Sequence, residues 1–425
     1  MFSRKQVLPL FVGFLTGLAT LSWISAAPKS AAGTRMLLKM ERDFIADLDD
    51  SESPFKPGKK IDLLLKSGKR NENLEIVSLK QGKDPGSILN LDCLTEKGVK
   101  QKLAMNTITQ ISAEERIFDV VQDSKSKAFL LLDETKRDRL VIERLRKSGH
   151  DLWKDPTAEE RKETIESAKE WFTKTKELFP GHPFLFKETE FFMFFTDMPE
   201  SQVAGYIANL DAMYRQLCQL FSIPPSRNIW KGKCPVITFV ERGMFGRFER
   251  EVMRNPTTDN VQGLHHGVSD GRVLITMVRG DDPAFFAAVL VHETTHGFLH
   301  RFRSNVHIHS WLNEGLAEYV AAGVVPACKV PARREERAIV TLRSEGAVGR
   351  DFFRDDSNID AEQYGLAFSM TRFLIASDEN NYRAFLIAIK EGYPEDEALE
   401  MTYGGKRADL VQSFARSVGI PGLRP

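Results

Sequence analysis

The segment AFFAAVLVHETTH (residues 284–296) decides the fold of this chain. Its apolar run predicts a buried helix, and Asp282 stands where a helix N-cap is expected. Residues four apart in a helix lie on the same face, so His292 and His296 project side by side. Two imidazoles in this arrangement can share one metal ion, and Glu293 beside them can take a proton from a water molecule that the metal activates. The segment therefore predicts a helix-borne zinc site.

A third metal ligand must come from outside this helical turn. His300 continues the series, but it lies two turns, or about 12 Å, beyond His292 along the helix axis. One ion cannot bind both, so we interpret His300 as a packed histidine or a helix-end cation. The next helical segment, WLNEGLAEY (residues 311–319), supplies two carboxylates one turn apart, Glu314 and Glu318.

The combination of HETTH with NEGLAE resembles the gluzincin, or peptidase-MA, superfamily of zinc metallopeptidases, and is most similar to bacterial peptidase-MA-like proteins. The resemblance covers residues 184–390 and implies a zincin-like core, in which a small twisted sheet adjoins a helical subdomain. It also implies that Glu314 is the third zinc ligand. Glu318 would hydrogen-bond the far nitrogen of His292 and so fix that ring. The metzincin pattern is absent, because Phe302 stands where its third histidine would be.

The resemblance further implies a tyrosine or histidine from the helical part after Glu314 that stabilises the oxyanion. We predict that this residue is Tyr364, which opens the apolar helical segment AEQYGLAFSMTRFLI (residues 361–375). The alternatives are four histidines: His265, His266, His307 and His309. GRVLITM (residues 271–277) follows a Gly/His-rich turn, and we interpret it either as an edge strand that binds an extended peptide or as an ordinary sheet strand.

The N-terminal residues differ from the rest of the chain in composition. Arg4 and Lys5 precede an apolar stretch (residues 7–27) that ends in small residues. Residues 1–27 are therefore predicted to be a secretory signal peptide, with an uncleaved N-terminal membrane anchor as the alternative. Both interpretations place the remainder outside the cytoplasm, as a periplasmic or secreted protein or one anchored at the outer face of the membrane.

The rest of the chain divides into three segments. Residues 28–59 are polar and contain several prolines and acidic residues, which indicates a linker with a short helix. Residues 60–145 alternate polar and apolar residues in short segments, from IDLLL to LVIERL, which is typical of a small antiparallel barrel or sandwich. Residues 150–425 show helices and strands, including one buried strand over residues 186–195, and from Pro283 almost only helices. The predicted class is thus α+β, with a β-rich domain before a zincin-like metallopeptidase domain.

The four cysteines allow two interpretations. In an exported protein they could form disulfides, with Cys218 and Cys234 as the first candidate pair. They could equally be separate buried thiols. Their spacing fits no metal-finger pattern, so we do not interpret them as metal ligands.

The predicted function is zinc-dependent hydrolysis of peptide bonds in a peptide or protein substrate, with Glu293 as general base and acid. Zinc is chosen over manganese and cobalt from ligand type and availability. One alternative is a catalytically weak or inactive zincin-fold protein that binds a cell-envelope partner through residues 60–145. Another is that residues 60–145 form a prodomain in which Cys93 is a removable zinc ligand. Basic and acidic residues both number 59, so the chain lacks the basic excess of a dedicated nucleic-acid binder.

Overall fold

A computed structural model describes residues 39–425 of the chain, apart from positions 52, 68, 115, 124, 225, 257–260, 350, 355–358 and 361. The predicted signal peptide or anchor (residues 1–27) and the beginning of the predicted linker lie outside the described residues. The remainder of that linker contains a short 3-10 helix, Lys39–Phe44. Within the described part of the chain, no helix is both long and apolar enough to cross a membrane.

Seven antiparallel strands follow the linker, and six of them close into a barrel. The strands are β1 (Lys60–Leu65), β2 (Arg70–Gln81), β3 (Ser87–Leu94), β4 (Lys100–Leu103), β5 (Ile108–Ala113), β6 (Arg116–Gln122) and β7 (Phe129–Asp133). Neighbours follow the order β2-β1-β5-β6-β7-β3, and β3 pairs with β2 to close the ring, while β4 pairs with β3. A barrel, one of the two predicted architectures, is therefore confirmed.

Apolar side chains fill the barrel interior because every second residue of a strand points inward. In β1, Ile61 and Leu63 are buried, whereas Lys60 and Asp62 are exposed. Cys93 belongs to the same core and is fully buried. A thiol inside the barrel does not suit the role of a removable metal ligand, so the structure does not support the prodomain hypothesis.

The prediction of a strand for LVIERL, the last of the alternating segments, is wrong, because these residues lie in helix α1 (Glu134–Lys147). The carboxylate of Asp133 caps this helix by accepting two backbone N–H groups of the first turn. The buried residues Arg137, Val141 and Leu145 recur every four positions, which is the spacing of a helix face. A short apolar run does not distinguish the two structures by itself. The strands therefore end inside the predicted limits of 60–145.

A five-stranded sheet follows α1. Its strands are β8 (Leu185–Glu188), β9 (Phe192–Thr196), β10 (Cys234–Phe239), β11 (Gly263–Gly267) and β12 (Val273–Val278). Their order is β11-β12-β10-β9-β8; β9, β10 and β12 are parallel, and the edge strands β8 and β11 are antiparallel to their neighbours. The helices that precede and connect the strands are α2 (Ala158–Glu177), α3 (Glu200–Leu220) and α4 (Arg242–Glu251).

The strand predictions in this sheet need two corrections, and one of the two interpretations of GRVLITM is confirmed. Residues 186–195, predicted as one strand, fall in β8 and β9, which a turn separates; there Thr189 Oγ1 accepts a hydrogen bond from Phe192 N (3.1 Å). GRVLITM contains β12, which is an ordinary sheet strand and not an edge strand, because β10 and β11 pair with its two sides. The segment predicted as a Gly/His-rich turn is β11 itself, since glycine and histidine carry little strand preference.

Helices complete the chain from Pro283 onward. They are α5 (Pro283–Arg301), α6 (Ser310–Val324), α7 (Val330–Glu345), α8 (Tyr364–Ser377), α9 (Glu379–Lys390), α10 (Glu395–Tyr403) and α11 (Arg407–Ser417). Helices α5 and α6 pack against each other, with α3 and α8 beside them, in the largest hydrophobic cluster. The chain is thus mixed α+β, with a closed barrel and a helical region, as predicted.

A buried ionic cluster joins the barrel side of the chain to the helical region. Arg137 of α1 lies with Nη2 2.6 Å from Glu391 Oε1 and with Nη1 3.3 Å from Glu41 Oε1. Arg303, which follows α5, also pairs with Glu391. Arg137, Glu41 and Glu391 are buried, and a buried charge without its partner is costly. The cluster therefore ties the N-terminal segment, α1, the end of α5 and the end of α9 together.

Candidate metal centre

Helix α5 holds the HETTH segment against the core. The Asp282 carboxylate caps the helix by accepting hydrogen bonds from two backbone N–H groups of its first turn, at 2.9 and 3.0 Å. The helix continues unbroken to Arg301, so His292 and His296 lie one turn apart on the same face. Their Nε2 atoms are 3.0 Å from each other. Both imidazoles therefore point at one position in space.

Helix α6 brings Glu314 to the two histidines, because α6 packs directly on α5. Glu314 Oε2 is 3.0 Å from His292 Nε2 and 3.3 Å from His296 Nε2. Each of the three side chains offers one donor atom, and these atoms all lie within 4.8 Å of one another. The structure thus brings together the three residues predicted as metal ligands.

The donor atoms fit a four-coordinate metal ion such as zinc. Zinc binds imidazole nitrogen at about 2.0–2.1 Å in tetrahedral geometry, which separates neighbouring donor atoms by about 3.3 Å. The three separations here are 3.0, 3.0 and 3.3 Å. Two imidazoles and one carboxylate also form a ligand set of catalytic zinc sites, which keep a fourth position open.

Asn313 fixes the ring of the second histidine, a role that sequence reasoning missed. Asn313 Oδ1 lies 2.9 Å from His296 Nδ1 and can only accept, so Nδ1 is the donor. The neutral ring then presents Nε2 without a proton, as a metal ligand requires. The signal was present in the sequence, because Asn313 directly precedes Glu314 on the same helical turn.

Glu318 lies beside the first histidine, one turn after Glu314. Its Oε1 atom is 3.6 Å from His292 Nδ1, within ion-pair distance. The same oxygen accepts a hydrogen bond from Arg334 of α7. The Glu318 side chain is buried, so it acts on His292 with little screening by water. Sequence reasoning missed Arg334, because no motif marks α7.

Glu293 stands next to the ligand set without joining it. Burial raises the pKa of its carboxyl, but the approach of His265 and the charges of His296 and His292 outweigh burial and lower the pKa overall. The carboxylate is therefore ionised at neutral pH and able to accept a proton. Its Oε2 atom is 3.9 Å from His265 Nδ1.

The charge of Glu314 is matched to the two imidazoles. Burial alone would raise the pKa of this carboxyl, but His296 and His292 lower it far below its ordinary range. The same contact acts on His296, whose pKa falls with burial but rises, because of Glu314, to about 9 overall. The centre thus combines one ionised carboxylate with the His296 imidazole, from which a metal must displace a proton.

Tyr364, predicted to stabilise the oxyanion, begins α8 and reaches the centre. Its ring centroid is 6.3 Å from that of His292, and the Arg334 guanidinium lies 5.2 Å from the same ring. Burial and then the charges of Glu314 and Glu293 raise the pKa of the phenol. The hydroxyl therefore keeps its proton and can donate a hydrogen bond.

The other candidate histidines occupy different surroundings. His265 lies on β11 beside the centre, with its ring centroid 5.1 Å from that of His296. His266 contacts Glu249 on the opposite side of the strand, and His309 pairs with Glu395 of α10. His307 lies in the loop before α6. His300 packs beside Trp153 with Nε2 3.3 Å from Val268 O, as expected for a packed histidine.

A cavity of about 270 Å³ opens on the centre. Its polar lining includes His292, Glu293, Glu318, Arg334 and Tyr364. The remaining wall is mostly apolar and is formed by Val261, Gln262, Gly263, Phe285, Ala288, Val289, Ala321, Cys328, Val330 and Pro331. The first ligand, the base and the tyrosine thus face one space that could hold part of a substrate.

No family model matches the chain, and no curated protein matches it. The class of protein is therefore inferred from the site itself. Its defining features are three convergent donor atoms, an ionised carboxylate beside them and a neutral phenol that lines the same cavity.

Proposed function

We propose that the chain is a zinc-dependent peptidase of the gluzincin type that hydrolyses peptide bonds. The observation that carries this proposal is the convergence of His292, His296 and Glu314, with donor atoms 3.0 to 3.3 Å apart, beside the non-ligand carboxylate of Glu293. His292, His296 and Glu314 would hold the ion. The five-stranded sheet and helices α5 and α6 would correspond to the zincin-like core.

The side chains of the site suit amide hydrolysis. A bound zinc ion would supply Lewis acidity, polarising a carbonyl and making water more acidic. Glu293 accepts a proton at its carboxylate and delivers it to the leaving amine nitrogen, which requires a carboxylate that is ionised before the reaction. Asn313 and Glu318 hold the two imidazoles in their orientations. Tyr364 donates its hydroxyl proton in a hydrogen bond to the oxyanion.

The free edge of β11 supports a peptide as substrate. Among the strands of the described residues this one ends the sheet, and its first residue, Gly263, lines the cavity. An extended peptide can add to such an edge through backbone hydrogen bonds. The binding of an extended peptide, which was first considered for GRVLITM, is therefore proposed for β11. The basic start and apolar stretch of residues 1–27 support export or anchoring outside the cytoplasm.

The test compares the parent with Glu293→Gln, both as full-length protein. Each should contain one zinc ion, and only the parent should cleave a mixed peptide library. Removal of the base should lower kcat/KM by about 10²- to 10⁴-fold. The same change at Glu336, an exposed residue of α7, serves as the control and should preserve activity.

Three outcomes separate the possibilities. Cleavage by the parent and by Glu336→Gln, but not by Glu293→Gln, supports the peptidase. Zinc in both proteins without cleavage favours the scaffold alternative, in which the barrel binds a cell-envelope partner. A parent that binds no zinc contradicts the metal centre itself.

A further inference from the structure

Strand β11 places a single side chain against helix α5. Its alternate residues Gly263, His265 and Gly267 lie towards α5. A Cβ atom at Gly263 would be 2.8 Å from Glu293 Cγ, and one at Gly267 would be 2.5 Å from the His300 ring. The strand therefore lies so close to the helix that a side chain at Gly263 or Gly267 would displace the side chain of Glu293 or His300.

The neighbouring histidine holds the strand from its other face. His266 Nε2 is 3.3 Å from Glu249 Oε1 and 3.0 Å from Thr276 Oγ1. Glu249 is fully buried and also accepts a hydrogen bond from Asn255 Nδ2 (3.0 Å). Burial raises the pKa of Glu249, but the contacts with His266 and Thr276 outweigh it and lower the pKa. An ionised, buried carboxylate thus fixes the orientation of β11.

His265 is consequently aimed at the catalytic carboxylate. Its Nδ1 atom is 3.9 Å from Glu293 Oε2, and among the residues that the structure describes it is the one histidine, lysine or arginine with a side-chain nitrogen within 4 Å of that carboxylate. His265 is not part of the described ligand set of His292, His296 and Glu314. Its position is therefore beside the base, not in the metal's coordination sphere.

We propose that His265 is a positioning residue that holds the Glu293 carboxylate towards the metal ligands. A glutamate side chain has several rotamers, and a nearby cationic or N–H donor group restricts them. Gly263 and Gly267 let the strand approach α5, and the contacts of His266 with Glu249 and Thr276 fix the strand. The His265 imidazole therefore stays beside Glu293. The inference rests on the proposed function, because it assigns a partner to the general base. The two adjacent histidines then have different roles: His266 fixes the strand, and His265 orients Glu293.

Kinetics on full-length, zinc-loaded protein test this role. His265→Ala should lower kcat by about 10- to 100-fold, the range typical of lost supporting contacts, while KM changes little. His265→Asn retains an N–H donor near the position of Nδ1 and should recover most of the loss. A residue with only a structural role would not show this rescue. A His265→Ala protein with the kcat of the parent would overturn the inference.

The matched control is the same change on the opposite face of the strand. His266→Ala should lower Tm, because buried Glu249 loses a hydrogen-bonding partner. His265→Ala should keep a Tm close to that of the parent, because its side chain is 35% exposed. Equal losses of Tm in both variants would contradict the division of roles.

A spectroscopic measurement tests the contact without any turnover. In protein labelled with ¹⁵N-histidine, Glu293→Gln should shift the ring nitrogen resonances of His265 and leave those of His266 in place. Resonances of His265 that do not respond to Glu293→Gln would overturn the inference. If the parent shows no peptidase activity, the proposed function fails, and the ring shifts still decide whether His265 contacts Glu293.

Discussion

At the scale of single residues, Glu318 links the metal centre to a helix outside it. Its Oε1 atom lies between His292 Nδ1 and the guanidinium of Arg334. A carboxylate beside the far nitrogen makes the imidazole a stronger ligand, because it stabilises positive charge on the ring. The arginine in turn holds that carboxylate in place.

Replacing Glu318 with glutamine therefore changes metal binding without changing side-chain size. We expect Glu318→Gln to weaken zinc affinity by about 10- to 100-fold, because the ligand histidine loses its charged partner. Competition against a zinc indicator measures the dissociation constant, with Glu336→Gln on the surface of α7 as control. An affinity equal to that of the parent would show that Glu318 serves packing alone.

The sequence predicts some residues of the centre better than others. Helical periodicity sets the separation of His292 and His296, so their shared face follows from spacing alone. The prediction of Glu314 as the third ligand came from the resemblance of HETTH and NEGLAE to the gluzincin motifs. His265 was a candidate only for the oxyanion role, and its contact with Glu293 depends on the sheet edge. Arg334 reaches the centre through the packing of α7 and carries no local signal.

At the scale of elements, α2 begins with a capping box. Thr157 Oγ1 accepts a hydrogen bond from Glu160 N (3.2 Å), and Glu160 Oε2 accepts one from Thr157 N (2.7 Å). Two N–H groups that a helix start would leave unpaired are thereby satisfied. The helix itself begins at the next residue, Ala158.

Removal of this cap should loosen the first turn of α2. Thr157→Ala is expected to lower the free energy of opening of the first turn by about 1 kcal/mol, because one backbone N–H loses its acceptor. Hydrogen exchange of peptides that contain the first turn should then become about fivefold faster if exchange follows local opening. Thr173→Ala, at an exposed position inside the same helix, is the control and should not accelerate exchange. Unchanged exchange in Thr157→Ala would argue that the capping box adds nothing to α2.

Strand β11 shows why some elements escape sequence analysis. Its residues, GLHHG, have neither alternating polarity nor a preference for strands. The strand forms because β12 offers a hydrogen-bonding edge and because α5 admits a backbone without side chains at two positions. Both reasons are tertiary contacts, so the local sequence pattern does not predict this strand.

At the scale of the whole molecule, the last residue of α9 carries a buried amine. Lys390 is 1% exposed, and its Nζ donates a hydrogen bond to Val306 O (2.8 Å). Burial lowers the pKa of Lys390 to about 7. The next residue, Glu391, belongs to the ionic cluster between the barrel side and the helical region.

Lys390 should make the stability of the protein depend on pH. Between about pH 7 and 10.4 the unfolded chain binds a proton here that the folded protein lacks, so the free energy of unfolding rises with pH. Below about pH 7 both states are charged, and the full cost of burying the charge remains. Urea unfolding between about pH 6.5 and 9 should show a shallower rise for Lys390→Met than for the parent.

The exposed Lys329 provides the control for this measurement. Lys329→Met should keep the pH dependence of the parent, because it removes an exposed side chain and leaves the buried Lys390 in place. Parallel curves for the parent and Lys390→Met would contradict the prediction.

The division into a β-rich part and a largely helical part could be predicted, because period-2 and helical patterns occupy separate stretches of the chain. The contact between the parts could not. Arg137, Glu41 and Glu391 are far apart in sequence, and nothing in their local surroundings marks them as partners.

All four cysteines are free and buried, so separate thiols, one of the two interpretations considered, describe this chain. Burial raises the pKa of Cys93 to about 11 and that of Cys218 to about 12, which keeps both thiols protonated and unreactive. No covalent cross-link contributes to the fold. Burial thus shields the thiols of Cys93 and Cys218 from oxidants and alkylating reagents in the solvent.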